Sequence, residues 1–333
     1  MILYRIDYLI LSILERESAV TMSNAITIAD IIKKLIKYCI DSDFRFIVNA
    51  NRFGMYKGMS DEVYLKRIFK AFHGYTPNLV HPKTLNEKLQ WLKLNDRKSI
   101  YTTMVDKYET KKYVSSIIGE KYVIPTLGIW NNFDDIDFSQ LPESFVLKCT
   151  HDSGSVILVK DKHHWDKESA KKILEHGLAK NYFWSGREWP YKNVKPRIIA
   201  EKMVDLNPVD YKWICMNGEP KVLCMCMDRQ KGNLTFNYYD MNFNLLPFEW
   251  VHPSCKTRKI QRPKNFDKMK ELARKLSENI PEVRVDFYDI GGQVYFGELT
   301  FYHQSGFAPF YPKEWDLKLG QLLDLTDVSG NRI

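Results

Sequence analysis

Arg284-Val-Asp-Phe-Tyr-Asp-Ile-Gly-Gly-Gln-Val-Tyr-Phe-Gly-Glu-Leu-Thr300 decides how the chain is read. Two runs of alternating apolar and polar residues, rich in β-branched and aromatic side chains, flank Gly291-Gly292, and this pattern predicts a β-hairpin. Register then decides the chemistry. A three-residue loop, Gly291 to Gln293, sets Asp286 across from Glu298, so that both carboxylates share one face with Arg284 and Thr300. A two-residue loop puts the acids on opposite faces, because a one-residue slip turns every side chain over. Two acids placed opposite one another repel and need a cation. Hard oxygen ligands on a short hairpin suit Mg²⁺, which takes one or two carboxylates and completes its octahedron with water and phosphate oxygens. The alternative is an ordinary edge hairpin whose acids face water, and the rest of the chain has to decide.

The chain has 333 residues, 44% of them apolar and 27% charged, an ordinary globular composition with room for two or three lobes. A net charge of +8 is modest for this length, and the basic residues are spread out instead of forming blocks. That suits an anionic ligand or an anionic membrane surface and gives little reason to expect nucleic acid as a partner. Six irregularly spaced cysteines read as reduced thiols, and Cys224-x-Cys226 has no second Cys or His pair to complete a zinc set. The run Met1 to Leu14 is interrupted by Arg5 and Asp7, which makes it too short and too charged for a membrane span or a standard signal peptide. A cytoplasmic protein is therefore expected, with a peripheral place at the inner face of a membrane as the variant reading.

Residues 7–16 carry a helical apolar stripe, and Thr27 caps a second amphipathic helix running to Tyr38. No recognition helix with base-reading Arg, Asn or Gln follows before Phe44, so the pair reads as packing helices or a surface anchor, not a DNA reader. Further helices are expected from Ser60 and from Thr84, the second with Glu87 placed for a capping box. Another, Tyr101 to Val114, carries Asp106-Lys107. Gly119 to Thr126 reads as a strand entering a turn. The strand Ser144–Thr150 runs into His151-Asp-Ser-Gly-Ser155, and Val156 to Val159 leaves it. Strand, small polar loop and strand make a flap whose backbone N–H groups can cover phosphates. It is not a P-loop, because the Gly-Lys-Ser ending and the following helix are missing.

A helix from Lys167 to Lys180 leads into Asn181 to Pro196, which holds five aromatics with Arg187, Lys192 and Lys195 in no regular element. Aromatics beside cations suit a carbohydrate or nucleotide surface, and equally a loop packed on the core. The strand Arg197–Asp205 and a hairpin turning at Asn217-Gly218 follow. A basic stretch at 237–262, a helix Asn265–Glu278, the opening hairpin and an aromatic loop Phe301–Pro312 complete the chain.

The order Lys107, Lys148 before a glycine flap, Glu201-Lys202 ending a strand, Lys212 on a strand, and then the Asp286/Glu298 hairpin resembles the ATP-grasp superfamily. Closer still, Thr84-Leu-Asn-Glu-Lys-Leu-Gln-Trp-Leu-Lys-Leu94, Phe145-Val-Leu-Lys-Cys-Thr-His-Asp-Ser-Gly154, Gly186-Arg-Glu-Trp-Pro-Tyr-Lys192 and Phe296-Gly-Glu-Leu-Thr-Phe301 resemble the TupA-like ATP-grasp proteins. These are of the teichuronopeptide-biosynthesis type, found in cell-surface polysaccharide clusters and often labelled glycosyltransferases. The resemblance covers residues 43 to 325. It implies an α+β ATP-grasp fold, two α+β lobes sandwiching ATP, with an N-terminal helical region. The expected divisions are 1–42 (helical extension), 43–143 (helical pre-ATP-grasp region) and 144–325 (ATP-grasp domain), the last split into a flap lobe, 144–204, and a metal-binding lobe, 205–325.

The implied activity is that of an ATP-dependent carboxylate–amine ligase working through an acyl-phosphate. Its substrates would be a small molecule or polysaccharide precursor with a carboxylate, such as a uronic or amino acid, together with an amine. The alternative is the glycosyltransferase of the family's label. Asp135-Ile-Asp137 has the spelling of a glycosyltransferase metal motif, but it sits in an acidic connector.

Carried onto the matched positions, the resemblance gives Lys107 and Lys148 the phosphate oxygens and lets Ser153, Gly154 and Ser155 close over them. Glu201 would accept from the adenine amino group, the backbone of Lys202, Met203 and Val204 would read the ring edge, and Asp205 or Asp210 would hold the ribose. Lys212 would reach the phosphates. Asp286 and Glu298, with Thr300, would hold Mg²⁺, and Arg284 would stabilise the acyl-phosphate and the tetrahedral intermediate. Thr300 stands where the superfamily usually has Asn, which puts a second Mg²⁺ in doubt, and His303, Gln304 and Ser305 follow closely enough to substitute. Arg187 and Lys192 would receive an acidic sugar, with His303 and Ser305 also on the substrate side. His151 and Asp152 read as residues that shape the flap or meet substrate.

Overall fold

The computed structural model describes residues 28–52, 54–206, 208–228, 234–255 and 259–326. They form two compact units divided between Tyr75 and Thr76. The first holds α1 (Ile28–Ile40), α2 (Ser42–Arg52) and α3 (Asp61–His73), around Tyr38, Phe46, Tyr64, Leu65, Ile68 and Phe69. Ser60 takes the N-cap position of α3 without a side-chain hydrogen bond. The helix expected at 7–16 lies outside the described residues. Ile32, Ile36 and Ile40 stay exposed along one stripe of α1. No helix among the described residues is long and apolar enough to cross a membrane.

The second unit opens with α4 (Leu85–Asn95), α5 (Ile100–Val105) and α6 (Glu109–Ile118). Thr84 and Glu87 make the expected capping box on α4. The single helix expected over Tyr101 to Val114 is broken at 106–108. Asp106 is the reason: its Oδ1 accepts from the N–H groups of Tyr108 at 2.9 Å and Glu109 at 3.3 Å and so starts a new helix. Lys107 stands in the break, with its N–H donating to Thr150 O at 3.0 Å.

The smaller sheet contains β1 (Thr126–Trp130), β2 (Phe145–Cys149), β3 (Val156–Val159) and β4 (Ile198–Lys202), in the order β1-β4-β2-β3 and antiparallel throughout. Phe145, Leu147 and Cys149 alternate inward onto Ala170 and Leu174 of α7 (Lys167–Leu178). Residues 119–126 do not form the expected strand. Glu120–Tyr122 is a 3-10 turn, Val123 makes an isolated bridge to Phe296, and the strand begins only at Thr126. The expected division after residue 143 passes through this sheet, because β1 is its edge strand, paired with β4.

The larger sheet is built from β5 (Asp210–Met216), β6 (Glu219–Met227) and β7 (Thr235–Tyr239). The short β8 (Glu249–Trp250) comes next in the chain, then β9 (Glu282–Ile290) and β10 (Gln293–Thr300). Its order is β10-β9-β5-β6-β7, while β8 pairs with β11 (Phe310–Tyr311). Along each strand successive side chains point to opposite faces. Trp213, Cys215, Val283 and Val285 pack with Phe266, Met269, Leu272 and Leu276 of α8 (Phe266–Ser277) in one buried cluster. Asp210, Lys212, Arg284 and Asp286 belong to the other face. A last helix, α9 (Glu314–Gly320), meets α4 through Asp316, which accepts from the Asn86 backbone N–H at 2.9 Å.

The hairpin settles the register by a route other than the expected one. Its turn is the two residues Gly291 and Gly292, with φ of 59° and 85°, values glycine adopts freely and a primed turn requires. Ile290 pairs with Gln293, so there is no three-residue loop. The register then shifts between Phe296 and Leu299, after which Leu299 pairs with Val285 and Thr300 with Arg284. Gly297 and Glu298 together face Asp286 in a β-bulge, which adds one residue to one strand. The bulge restores what the tight turn takes away, and Glu298 and Thr300 share a face with Arg284 and Asp286.

Candidate active site

On that face Arg284 is the hub. Its Nε donates to Asp286 Oδ1 and its Nη2 to Asp286 Oδ2, both at 2.7 Å. Nη2 also reaches Glu298 Oε1 at 2.7 Å and Thr300 Oγ1 at 3.0 Å, and Nη1 reaches His303 Nδ1 at 2.9 Å. Lys212, paired across the sheet with Asp286, makes ion pairs with Asp286 and, at 2.7 Å, with Asp210. Asp286 is 1% exposed and Arg284 7%.

Burial penalises each of these charges and contact with the opposite charge opposes it; at Asp286 burial prevails over Arg284 and Lys212 and leaves the carboxyl above its usual range. Burial pushes the Glu298 carboxyl up, but Arg284, with Lys107, Lys212 and Lys148 further off, outweighs it and holds the group at about 2. Burial and Arg284 work against charge on Lys212, yet Asp210 and Asp286 hold its ammonium above the ordinary lysine range. Burial, then Arg284 and Lys212, keep the His303 imidazole well below its usual value. His303 is thus a neutral acceptor that supports Arg284, with its ring edge-on to Trp250 at 4.5 Å.

The flap is folded on its own polar groups. Lys107 Nζ donates to Asp152 O, and Ser155 Oγ to the Asp152 carboxylate. His151 Nε2 lies 3.1 Å from both Gly177 O and Lys180 O, at the end of α7. His151, Asp152 and Ser155 are buried, so they shape the loop, while Ser153 and Gly154 are exposed at its tip.

A cavity of about 270 Å³ brings Lys107, Ser153, Arg284, Glu298, Thr300 and Ser305 together. A second, of about 490 Å³, is lined by Lys202 and Val204 with Lys111 and Tyr295. Glu201 lines neither. Its two oxygens form ion pairs with Lys111 at 2.6 Å and Lys148 at 2.5 Å. Burial pushes its carboxyl up, and the two lysines more than compensate and hold it below the usual range. Lys111, unforeseen from the sequence, lies in the first turn of α6, four residues after Lys107 in the break. Met203 and Asp210 also line neither cavity.

The aromatic run departs from expectation. Arg187 is 1% exposed, with its guanidinium 4.7 Å from the Trp184 ring centre. Lys192 is exposed and rests 5.1 Å from the Phe183 ring centre. Neither lines either of these two cavities, and both cations lie against aromatic rings. Tyr182, Glu188 and Tyr191 of the same run line the smaller cavity instead. His303 supports Arg284 and is likewise absent from its wall.

Among the described residues no cluster of three or more His, Cys, Asp or Glu side chains stands ready for a metal. Mg²⁺ held by one or two carboxylates and by phosphate oxygens needs no such cluster. Glu298 engages only Oε1 in the Arg284 network, which leaves Oε2 as a hard donor beside the cavity. Both Asp286 oxygens are held by cations, so this carboxylate fits the same role once they are drawn off.

Among solved structures, N5-carboxyaminoimidazole synthetase from Staphylococcus aureus is 16% identical over 60% of this chain and 44% of its own, with a TM-score of 0.34. D-alanine–D-alanine ligase from Bacillus anthracis, complexed with ATP, is 13% identical over 74% of this chain and 64% of its own, with a TM-score of 0.35. The chain thus spans less than two thirds of either protein. No curated protein matches it. The TupA-like ATPgrasp family model matches residues 87–324, most of the chain and, but for the first two residues of α4, all of the elements just described from α4 to α9, and the chain belongs to that family.

Proposed function

We propose that the protein is an ATP-dependent carboxylate–amine ligase that works through an acyl-phosphate. The observation that carries this reading is the convergence of Arg284, Glu298 and Thr300 with Lys107 and Ser153 of the flap on one cavity. A carboxylate oxygen of the acceptor attacks the γ-phosphorus of ATP and ADP leaves. An amine nitrogen then forms a bond to the activated carbonyl carbon, and phosphate departs with the electron pair of the broken C–O bond. This chemistry needs no protein nucleophile, and positioning with charge neutralisation does the work.

Lys107 and Lys148 neutralise phosphate oxygens as mobile point charges, and the backbone N–H groups of Ser153 and Gly154 close over them. Lys202 and Val204 flank the cavity that takes the base and ribose. Arg284 presents its fork to the oxygens on which charge builds up, first on the acyl-phosphate and then on the tetrahedral carbon. Asp286 and Glu298 would hold Mg²⁺, which supplies, when bound with the nucleotide, neutralisation of the β- and γ-phosphate oxygens. The TupA-like family supports a uronic acid or an amino acid of cell-surface polysaccharide synthesis as the acceptor.

The glycosyltransferase reading draws no support from its own motif. Asp135 and Asp137 are exposed and line neither cavity, and Asp137 caps a 3-10 turn by accepting from Ser139 N–H at 3.0 Å. Purified protein with Mg²⁺ and ATP, offered uronic acids and amino acids, tests the choice by a method that separates ADP from AMP. ADP and phosphate should appear only when both a carboxylate and an amine are supplied. Turnover of a nucleotide sugar with ATP untouched would replace the ligase with the glycosyltransferase.

A further inference from the structure

The cavity that holds Arg284 has two chemically different ends. Lys107, Ser153, Arg284 and Thr300 offer positive charge and hydrogen-bond donors. Tyr182, Glu188 and Tyr191 offer one carboxylate and two phenol rings that pack on each other with centres 5.1 Å apart. Glu188 is 5% exposed, and a carboxylate so deep in protein needs a partner.

The buried cation that acts on it most, Lys93, does so without direct contact. Lys93 Nζ spends its donors on Gln90 Oε1 at 3.0 Å, Gly186 O at 2.8 Å, Ser305 O at 2.7 Å and Ser305 Oγ at 3.0 Å. Among the described residues it makes no ion pair with Glu188. The Ser305 hydroxyl, accepting from Lys93, is left to donate to Glu188. Both groups crowd Gly186, where a Cβ would come within 2.2 Å of Ser305 Oγ and 3.0 Å of Glu188 Oε1. The carboxylate is therefore fixed in place without an ion pair of its own. Burial, opposed by the charge of Lys93, the Ser305 hydroxyl and Arg284, still pushes its pKa up, which makes it a better proton acceptor.

We propose that Glu188, beside Tyr182 and Tyr191, receives the amine substrate as its ammonium ion and takes up the proton that the nitrogen loses before it attacks. This rests on the ligase reading and assigns the second substrate its place in the same cavity. The phenol rings, packed on each other, suit an ammonium group placed against them at the cavity wall. The bound ammonium first passes one proton to the Glu188 carboxylate, which frees the nitrogen lone pair for attack. As the C–N bond forms and the C–O bond breaks, the nitrogen loses its second proton to the departing phosphate, which leaves as hydrogenphosphate, and the proton on Glu188 passes to solvent with the product. The acid-bearing substrate then belongs at the Arg284 end, and the aromatic run receives the amine instead of the acidic sugar expected from Arg187 and Lys192.

Hydroxylamine, largely unprotonated at neutral pH, traps an acyl-phosphate as its hydroxamate without needing a base. The wild-type protein with Mg²⁺, ATP and a panel of uronic and amino acids is assayed in two ways, with hydroxylamine and with a panel of amino acids and amino sugars. For Glu188→Gln, kcat/KM for the amine should fall by about 100-fold or more, while hydroxamate formation falls less than about threefold. Equal losses in both assays, or no loss in either, would overturn the amine site. If the wild type forms neither product with any acid, the ligase reading fails and calorimetric titration with ethanolamine and glycinamide decides the site. Binding about tenfold weaker in Glu188→Gln upholds an ammonium site, whereas equal or absent binding removes it.

Discussion

Two buried clusters of charge border the same cavity, and they solve the problem of burial in opposite ways. Around Arg284 every charge touches its opposite, with Asp286 and Glu298 both at 2.7 Å, and Glu298 stays ionised down to about 2. Around Lys93 the contacts are neutral carbonyls, an amide and a hydroxyl. There burial pushes Lys93 down to about 7, against a pull from Glu188 and Glu282, and pushes Glu282 up to about 7. Contact with a counter-charge separates Glu298 from Glu282, although burial keeps even the paired Asp286 above its usual range. The first is a fixed electrostatic device that can be opened only by supplying other charges. The second changes its protonation near neutral pH.

The sharpest way to break the contrast is to remove one ion from the first cluster. Asp286→Asn and Glu298→Gln preserve shape and remove charge, and each should lower ATP consumption by about 10³-fold or more. Turnover within tenfold of wild type in both variants, measured as ADP release, would reduce the cluster to a structural ion pair. Lys93→Met attacks the second cluster. It strips donors from Gly186 O and Ser305 O, and the unfolding free energy from urea denaturation should fall by about 2–4 kcal/mol. An unchanged midpoint would mean that the donors of Lys93 contribute nothing there.

The first cluster was legible in the sequence and the second was not, for physical reasons. Strand alternation places Arg284, Asp286, Glu298 and Thr300 from a period of two, and the resemblance supplied Lys107, Lys148 and Lys212. The bulge at Gly297-Glu298 was not legible, since a register shift depends on how a whole strand pairs, and two errors, in turn and in bulge, cancelled. Lys93 did carry a signal: with Asn86 and Gln90 it forms a polar stripe at i, i+4 and i+7 on α4, and all three donate to the segment Ser305–Ala308. Reading that stripe required knowing which loop it meets. Arg187 and Lys192 misled because their type suggested an anion site, while their direction was set by stacking on Trp184 and Phe183.

Glu282→Gln sharpens the titration side of the comparison. The Glu282 carboxyl is raised from 4.5 to about 7, mainly by burial, although it accepts the Tyr302 N–H at 2.8 Å. Between those values the unfolded chain has lost the proton that the folded chain keeps, so stability falls as pH rises through the window. The glutamine variant lacks this term. The wild-type unfolding free energy minus that of the variant should therefore decline by about 3 kcal/mol between about pH 4 and pH 8. A difference that stays flat would show that Glu282 ionises as an ordinary carboxyl, and the contrast between the clusters would narrow to Lys93.

The smallest effect tests how the first cluster is aligned. Gly297 sits in the bulge, and a Cβ there would lie 3.3 Å from both Asp286 O and the Tyr288 ring, close enough that a neighbour must move by a few tenths of an ångström. Gly297→Ala should cost only about 1 kcal/mol of stability. It should cost more in activity, about tenfold in ADP release, because the displacement falls on the strand that sets Glu298 against Asp286. The same stability loss with full activity would mean that the carboxylates find their geometry from Arg284 alone. Arg284 would then be the aligning element of the hairpin, and the bulge only a way of accommodating the extra residue.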